Sequence, residues 1–271
     1  MNTQPISDHE FSQFQRFIRD AAGISMSSAK KPLVSGRLAK RLQQHRFTTY
    51  GDYFRLLASG TAPDEVQTAV DLLTTNETYF FREPKHFELL RDHALATRQH
   101  THNFRVWSAA CSSGEEVYSI AMVLADCLGN AAWEILGSDI SSRVLRRART
   151  GHYPEERAKH VSAQYLRRFC LKGNAEHAGT LLVERSLRNR VQFMQVNLNA
   201  ALPQLGFFDM IFLRNVMIYF NGDTKRQVVG RVLSLLKPGG FLCIGHSESL
   251  HDMGAMVEQV APAIYRKGLK Q

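Results

Sequence analysis

Residues 104–140, FRVWSAACSSGEEVYSIAMVLADCLGNAAWEILGSDI, decide the fold. FRVWSAA is a short apolar run of strand length, EEVYSIAMVLADCLG carries helical periodicity, and WEILGSDI is a second buried strand. Outward from this βαβ unit the alternation continues. SSRVLRRAR and DTKRQVVGRVLSLLK read as helices; VQFMQV, FFDMIFL and GFLCIGH read as strands. The pattern predicts an α/β fold with a parallel sheet covered on both faces. LLKPGGFL is expected to join helix to strand through a Lys-Pro-Gly-Gly turn, and the tail APAIYRKG to add an antiparallel edge strand.

In such a sheet a ligand sits at the carboxyl ends of the strands, where the first turn lets backbone approach it. That turn is SAACSSGEE, and the second strand ends in Asp139, placed so that its carboxylate can accept both hydroxyls of a ribose. A nucleoside cofactor follows, but a dehydrogenase would share this acid. The turn discriminates. A dinucleotide fingerprint needs G-x-G-x-x-G so that a pyrophosphate can rest on the helix N-terminus. Here Gly114 stands alone and Glu115 and Glu116 open the helix. Two carboxylates repel a pyrophosphate and tolerate a sulfonium cation, so S-adenosylmethionine fits better than NAD. The competing reading of Asp139 is a cap for the helix beginning near Ser141.

Residues 1–75 show short amphipathic helices without a strand pattern, with Gly23, Gly51 and Gly60 as helix stops, and residues 76–100 link them to the sheet. Residues 21–51 contain no Asp or Glu. Val34, Leu38 and Leu42 form one stripe there, and Lys30, Arg37, Lys40 and Arg41 an adjoining basic one. The apolar stripe is expected inside and the basic stripe outside, facing an acidic partner or only water. A net charge of +9 also calls for an acidic partner without choosing one. The rhythm breaks between Tyr153 and Arg190. We expect an insertion there, about 165–192, carrying a hairpin with KGNAEHAGT at its tip.

No apolar run reaches the ~20 residues of a membrane span, and the N-terminus has no secretion-signal pattern. Four widely spaced cysteines suit neither a thiolate zinc knot nor a disulfide framework, which points to the cytoplasm. His93, His100 and His102 are near one another in sequence, but the latter two lie in a polar, loop-like stretch, and no metal is expected.

With these pieces placed, the chain resembles the CheR family of chemotaxis receptor methyltransferases over essentially its whole length. The resemblance rests on TNETYFFRE (75–83), VWSAACSSGEEVYS (106–119), SDI (138–140), FLRNVMIYF (212–220), LLKPGG (235–240) and GHSE (245–248), in that order. It implies a Rossmann-like S-adenosylmethionine methyltransferase domain over 101–271, a small all-helical N-terminal domain that recognises the receptor, and an inserted β-subdomain. Glu77 and Cys111 depart from the family pattern at positions without an assigned role.

Family roles carry over by position. Asn76 and Thr78 match residues that help hold the cofactor, and Arg82 an arginine at the reaction centre. Glu116 and Asp139 match acids around the amino-acid and ribose portions, and Asn197 and Leu198 contacts near the adenine. Arg214 and Asn215 match the end of the fourth strand, and Tyr219 a tyrosine near the methyl group. Arg82 and Tyr219 are the implied catalytic pair; Lys30, Arg37, Lys40 and Arg41 are the candidate substrate-recognition residues.

The implied reaction is methyl esterification of glutamate side chains on the cytoplasmic methylation helices of a methyl-accepting chemotaxis receptor. S-adenosylhomocysteine is the product, and some members also hold a C-terminal receptor peptide as a tether. A glutamate side chain is already anionic at neutral pH (pKa about 4.3), so alignment and desolvation matter more than a general base. Arg82 suits the orienting of a carboxylate, or the binding of the cofactor's own carboxylate. A nucleic-acid methyltransferase is the first alternative, but N/D-P-P-Y/F is absent after the fourth strand, where RNVMIY stands. A non-catalytic receptor-docking module is the second. Neither nucleic-acid binding nor membrane insertion is expected.

Overall fold

The computed structural model describes residues 4–97, 103–253 and 256–269. The helical N-terminal domain comprises α1 (Asp8–Ala22), α2 (Lys31–Gln44), α3 (Tyr50–Ala58) and α4 (Pro63–Leu73). Ser7 starts α1 with a capping box. Its Oγ accepts from Glu10 N–H at 3.2 Å while Glu10 Oε2 accepts from Ser7 N–H at 2.8 Å. Gly23, at φ 74°, ends the helix in the left-handed conformation that glycine adopts without strain. Phe11, Phe14 and Ile18 from α1 meet Val34, Leu38 and Leu42 from α2, so the apolar stripe is inside. Gly51 is a correction. It does not stop a helix but lies in the first turn of α3, because Thr49 Oγ1 caps Asp52 N–H there and the Gly51 N–H donates to Glu10 Oε1 at 2.7 Å.

Next come α5 (Lys85–Thr97), β1 (Phe104–Ser108), α6 (Glu115–Leu128), β2 (Trp133–Asp139) and α7 (Ser142–Thr150). A small subdomain follows with β3 (His152–Pro154), α8 (Ala163–Phe169), β4 (Cys170–Lys172), β5 (Thr180–Val183) and α9 (Arg185–Arg188). The chain closes with β6 (Val191–Gln195), β7 (Phe208–Leu213), α10 (Gly222–Ser234), β8 (Leu236–Ile244), β9 (Val257–Ala261) and β10 (Ile264–Lys267). The main sheet has seven strands in the order β6-β2-β1-β7-β8-β10-β9. Its first five are parallel, and β10 and β9 are antiparallel. All six residues of β7 are buried. Its alternate side chains enter opposite cores: Met210 and Phe212 join α5 and α6, while Ile211 and Leu213 join α10.

Three expectations are corrected. The tail strand β10 is not the edge, since β9 pairs outside it. Lys-Pro-Gly-Gly is not a turn but an irregularity inside β8, opposite the Phe208–Met210 step of β7, with Gly239 at φ 75°. The insertion is a three-stranded antiparallel sheet, β3-β5-β4, rather than a hairpin, and it begins at His152 rather than near residue 165. Three-residue strands carry too little alternation to read. No helix among the described residues is long and apolar enough to cross a membrane.

Candidate active site

Strand order reverses at β1, which runs on to β2 and β6 on one side and is paired with β7 on the other. The crevice at the carboxyl ends of β1, β2 and β7 is the expected ligand position. A cavity of about 380 Å³ lies there, roofed by the segment after α1 (Ile24, Ser25 and Met26). That volume is within the range of small-molecule sites, ≈ 300–1,000 Å³. The helical domain is fastened to the sheet around it. Ser25 N–H donates to Tyr219 O at 2.7 Å, Asn197 Nδ2 donates to Ala21 O at 2.7 Å, and Ile24 bridges to Phe220.

The turn after β1 builds one wall. Cys111 N–H donates to Ser138 O at 2.8 Å, which ties the turn to β2. Gly114 caps α6 at φ 95°, and a Cβ there would stand 2.9 Å from Ala148 Cβ and Tyr153 Oη. The two glutamates diverge. Glu115 is wholly buried and accepts from Ser113 Oγ at 2.7 Å; burial pushes its pKa up. Glu116 alone faces the cavity, so one carboxylate and not two confronts a ligand at the start of α6.

Asp139 Oδ2 accepts from Ser112 N–H and Oδ1 from Ser141 N–H, both at 2.9 Å. Burial raises its pKa against the pull of these backbone donors. Each oxygen retains a further lone pair for a hydroxyl. The cap of α7 comes instead from Asp71 on α4, which accepts from Ser142 N–H at 2.9 Å, Ser142 Oγ at 2.8 Å and Arg143 N–H at 3.1 Å. Asp139 is therefore not consumed as the helix cap.

Two arginines line the cavity in different states. Arg214 at the end of β7 is sealed in, its side chain 2% exposed, between Glu116 Oε2 at 2.7 Å and Glu83 Oε2 at 3.1 Å. It also donates to the Arg82 carbonyl. Arg82 has no carboxylate partner among the described residues; its Nη1 donates only to Glu77 O at 3.3 Å, with the Tyr79 ring beneath it. The loop after β7 is held by Glu248. One oxygen accepts from Asn215 and Gly245 N–H at 2.9 and 2.7 Å, the other from Met217 and Ile218 N–H at 2.7 and 3.3 Å. This grip sets Asn215 in a left-handed conformation (φ 57°) and carries Tyr219 to the cavity wall.

The structure brings Asn76, Thr78, Arg82, Glu116, Asp139, Asn197, Leu198, Arg214, Asn215 and Tyr219 onto the wall of this one cavity. It divides the basic stripe. Lys30 lines the cavity and Lys40 is exposed, but Arg37 and Arg41 turn toward α4. Arg37 Nη1 donates to Leu73 O at 3.2 Å and Thr74 O at 2.9 Å, the helix C-terminus where a cation is favourable. Arg41 pairs with buried Glu65, to which Tyr53 Oη donates at 2.6 Å. An outward four-residue stripe is thus corrected to two outward lysines. Long stems can fold onto a neighbouring helix, which a wheel projection of one helix does not reveal.

The sequence reading assigned no role to Asp71, Glu83, His86 or Glu248, although GHSE contains the last. His93 packs its ring against Phe104 and Phe241, while His100 and His102 lie outside the described residues.

Residues 9–74 match the family model described as "CheR methyltransferase, all-alpha domain", and residues 76–265 match "CheR methyltransferase, SAM binding domain". Curated relatives include a chemotaxis protein methyltransferase of Escherichia coli, 44% identical over 92% of this chain and 87% of that one. Another, from Salmonella typhimurium, is 41% identical over 92% of this chain and 86% of its own. Chemotaxis protein methyltransferase 2 of Pseudomonas aeruginosa is 40% identical over 94% and 92%.

Proposed function

Since this chain belongs to the CheR methyltransferase family, we propose that it esterifies glutamate side chains on the cytoplasmic helices of a chemoreceptor. The observation that carries this reading is Arg82, a cavity-lining guanidinium with no acidic partner among the described residues, beside a second arginine already enclosed by two. An incoming carboxylate therefore has one prepared guanidinium to meet. The cofactor is S-adenosylmethionine, which supplies a sulfonium-bound methyl group when bound. The residues present fit it: Asp139 offers lone pairs for the ribose diol, Gly114 lets backbone approach, and Glu116 adds a negative charge near a cation.

The chain's own contribution is positional. Arg82 orients the carboxylate through paired hydrogen bonds. The Tyr219 hydroxyl fixes the line of approach. Ile24 and Phe220 keep water from the nucleophile. No proton needs to move, because glutamate is ionised at neutral pH. Lys30 and Lys40 face the acidic methylation region, in the cytoplasm where those helices lie. The three-stranded subdomain is the place for a receptor C-terminal peptide.

The test uses S-adenosylmethionine labelled in its methyl group with a receptor cytoplasmic fragment, RNA and DNA as acceptors. Carboxyl methyl esters release volatile methanol in alkali, whereas methylated bases do not. Alkali-volatile label on the fragment, lost when its target glutamates become alanine, is the expected result. Stable label on nucleic acid, or no transfer to any acceptor, would overturn it; the latter would leave a docking module.

A further inference from the structure

Next to Arg214, and outside the lining of the cavity, three side chains from distant parts of the chain converge. Glu83 lies just before α5, His86 in its first turn, and His246 just beyond β8. We propose that they form a binding site for a divalent transition-metal ion of the zinc class.

The geometry is the first argument. One donor atom from each residue lies within 4.8 Å of the other two. His86 Nδ1 stands 3.5 Å from Glu83 Oε2, and His246 Nε2 stands 3.8 Å from the same oxygen. Such separations are long for hydrogen bonds. Around a tetrahedral ion with bonds of about 2.0–2.1 Å, neighbouring ligand atoms are roughly 3.3–3.5 Å apart, so small rotations would complete the site.

Unmet polar atoms are the second argument. Six buried side-chain nitrogen or oxygen atoms among the described residues have no hydrogen-bond partner. Both ring nitrogens of His86 are among them, while Glu83 Oε2 is held by the ion pair to Arg214 at 3.1 Å. A wholly buried imidazole with neither nitrogen engaged is costly, and buried polar groups are seldom left so. A neutral imidazole offers such an ion a lone pair. His246, 55% exposed, opens the site to solvent and leaves a fourth position for water. Two imidazoles and one carboxylate suit zinc, cobalt or nickel rather than calcium or magnesium, which prefer oxygen.

Occupancy is coupled to the cavity, because the ion and Arg214 share Glu83. An ion that draws this carboxylate loosens one of the two acids that fix Arg214 in the cavity wall.

Cobalt(II) tests the site as a visible probe in the untagged full-length protein. One equivalent is expected to give the absorption of a tetrahedral ion, which added zinc removes. His246→Ala, at an exposed position whose backbone contact to Glu83 survives, should weaken binding by about 10–100-fold. His86→Gln should do the same if it remains folded by circular dichroism. By reciprocity, zinc should lower affinity for S-adenosylhomocysteine in the parent and not in His246→Ala. Absence of saturable binding would mean that a water, not a metal, satisfies these atoms, and would overturn the proposal. Equal binding by His246→Ala would overturn it too, by placing the ion elsewhere.

Discussion

Arg82→Ala is expected to separate the two roles open to this residue, orienting the substrate carboxylate or holding the cofactor's own. The side chain contributes little to the fold. Its Nη1 bond to Glu77 O is 3.3 Å long, and its guanidinium carbon stands 5.7 Å from the Tyr79 ring centroid. The segment is anchored through backbone instead, by the Arg82 carbonyl accepting from Arg214 and by Phe81 N–H donating to Ser119 Oγ at 3.0 Å. Truncation should cost under about 1 kcal/mol of stability. If the guanidinium orients the glutamate, its loss removes positioning from the transition state. Turnover should fall by at least ~10²-fold, or about 2.7 kcal/mol at 1.36 kcal/mol per decade. Affinity for S-adenosylhomocysteine should change by less than about threefold, because no ground-state contact of the cofactor is lost. Arg82→Lys should recover only part of the rate, lacking the planar fork. Label transfer to a receptor fragment measures turnover, and calorimetry measures affinity. Near-parental turnover in Arg82→Ala would remove Arg82 from the active centre. A loss of product affinity as large as the loss of rate would assign it to the cofactor's carboxylate.

Asp139→Ala should weaken S-adenosylhomocysteine binding by about 1.5–3 kcal/mol through lost charge-assisted hydrogen bonds; unchanged calorimetric affinity would discard the ribose assignment. Lys30→Glu combined with Lys40→Glu should raise the apparent KM for receptor by about 3–10-fold at low salt. That difference should vanish at 1 M salt, where the Debye length is about 3 Å, and equal KM at low salt would leave the lysines as a solvated face. Arg41→Glu should act on stability rather than recognition, costing roughly 2–4 kcal/mol by stranding buried Glu65 beside a like charge. Glu65 also predicts acid sensitivity of the helical domain. Burial alone would raise its pKa, but hydrogen bonds from Arg41, Tyr53 and His45 hold it at about 2, below the ordinary 4.5. Its contribution, about 1–2 kcal/mol after solvent screening, is present above pH 4.5 and lost as pH falls toward 2. Urea titrations at stepped pH measure it, and a Glu65→Gln variant should show a flatter dependence.

The sequence by itself determined the βαβ frame, the crevice position and the acid that ends β2. Those properties are local: strand and helix declare themselves by hydrophobic period, and Gly114 by its place between a strand and a helix. Arg82, Tyr219 and most of their companions were marked by the resemblance of their motifs to a family and not by period, and the fold gathers them onto one wall. Tertiary structure decided what each charge does. Arg41 meets Glu65 twenty-four residues away, Asn215 meets Glu248 thirty-three away, and Glu83 meets His246 across 163 residues. Asp71 caps a helix in another domain, seventy-one residues on, and so leaves Asp139 to the cavity. A side chain's partner at such separations depends on how helices dock, and the charge pattern of a single element carries no record of docking. For the same reason the sequence showed two arginines in two motifs, and only the packed structure showed that Arg214 is enclosed by Glu83 and Glu116 while Arg82 is not.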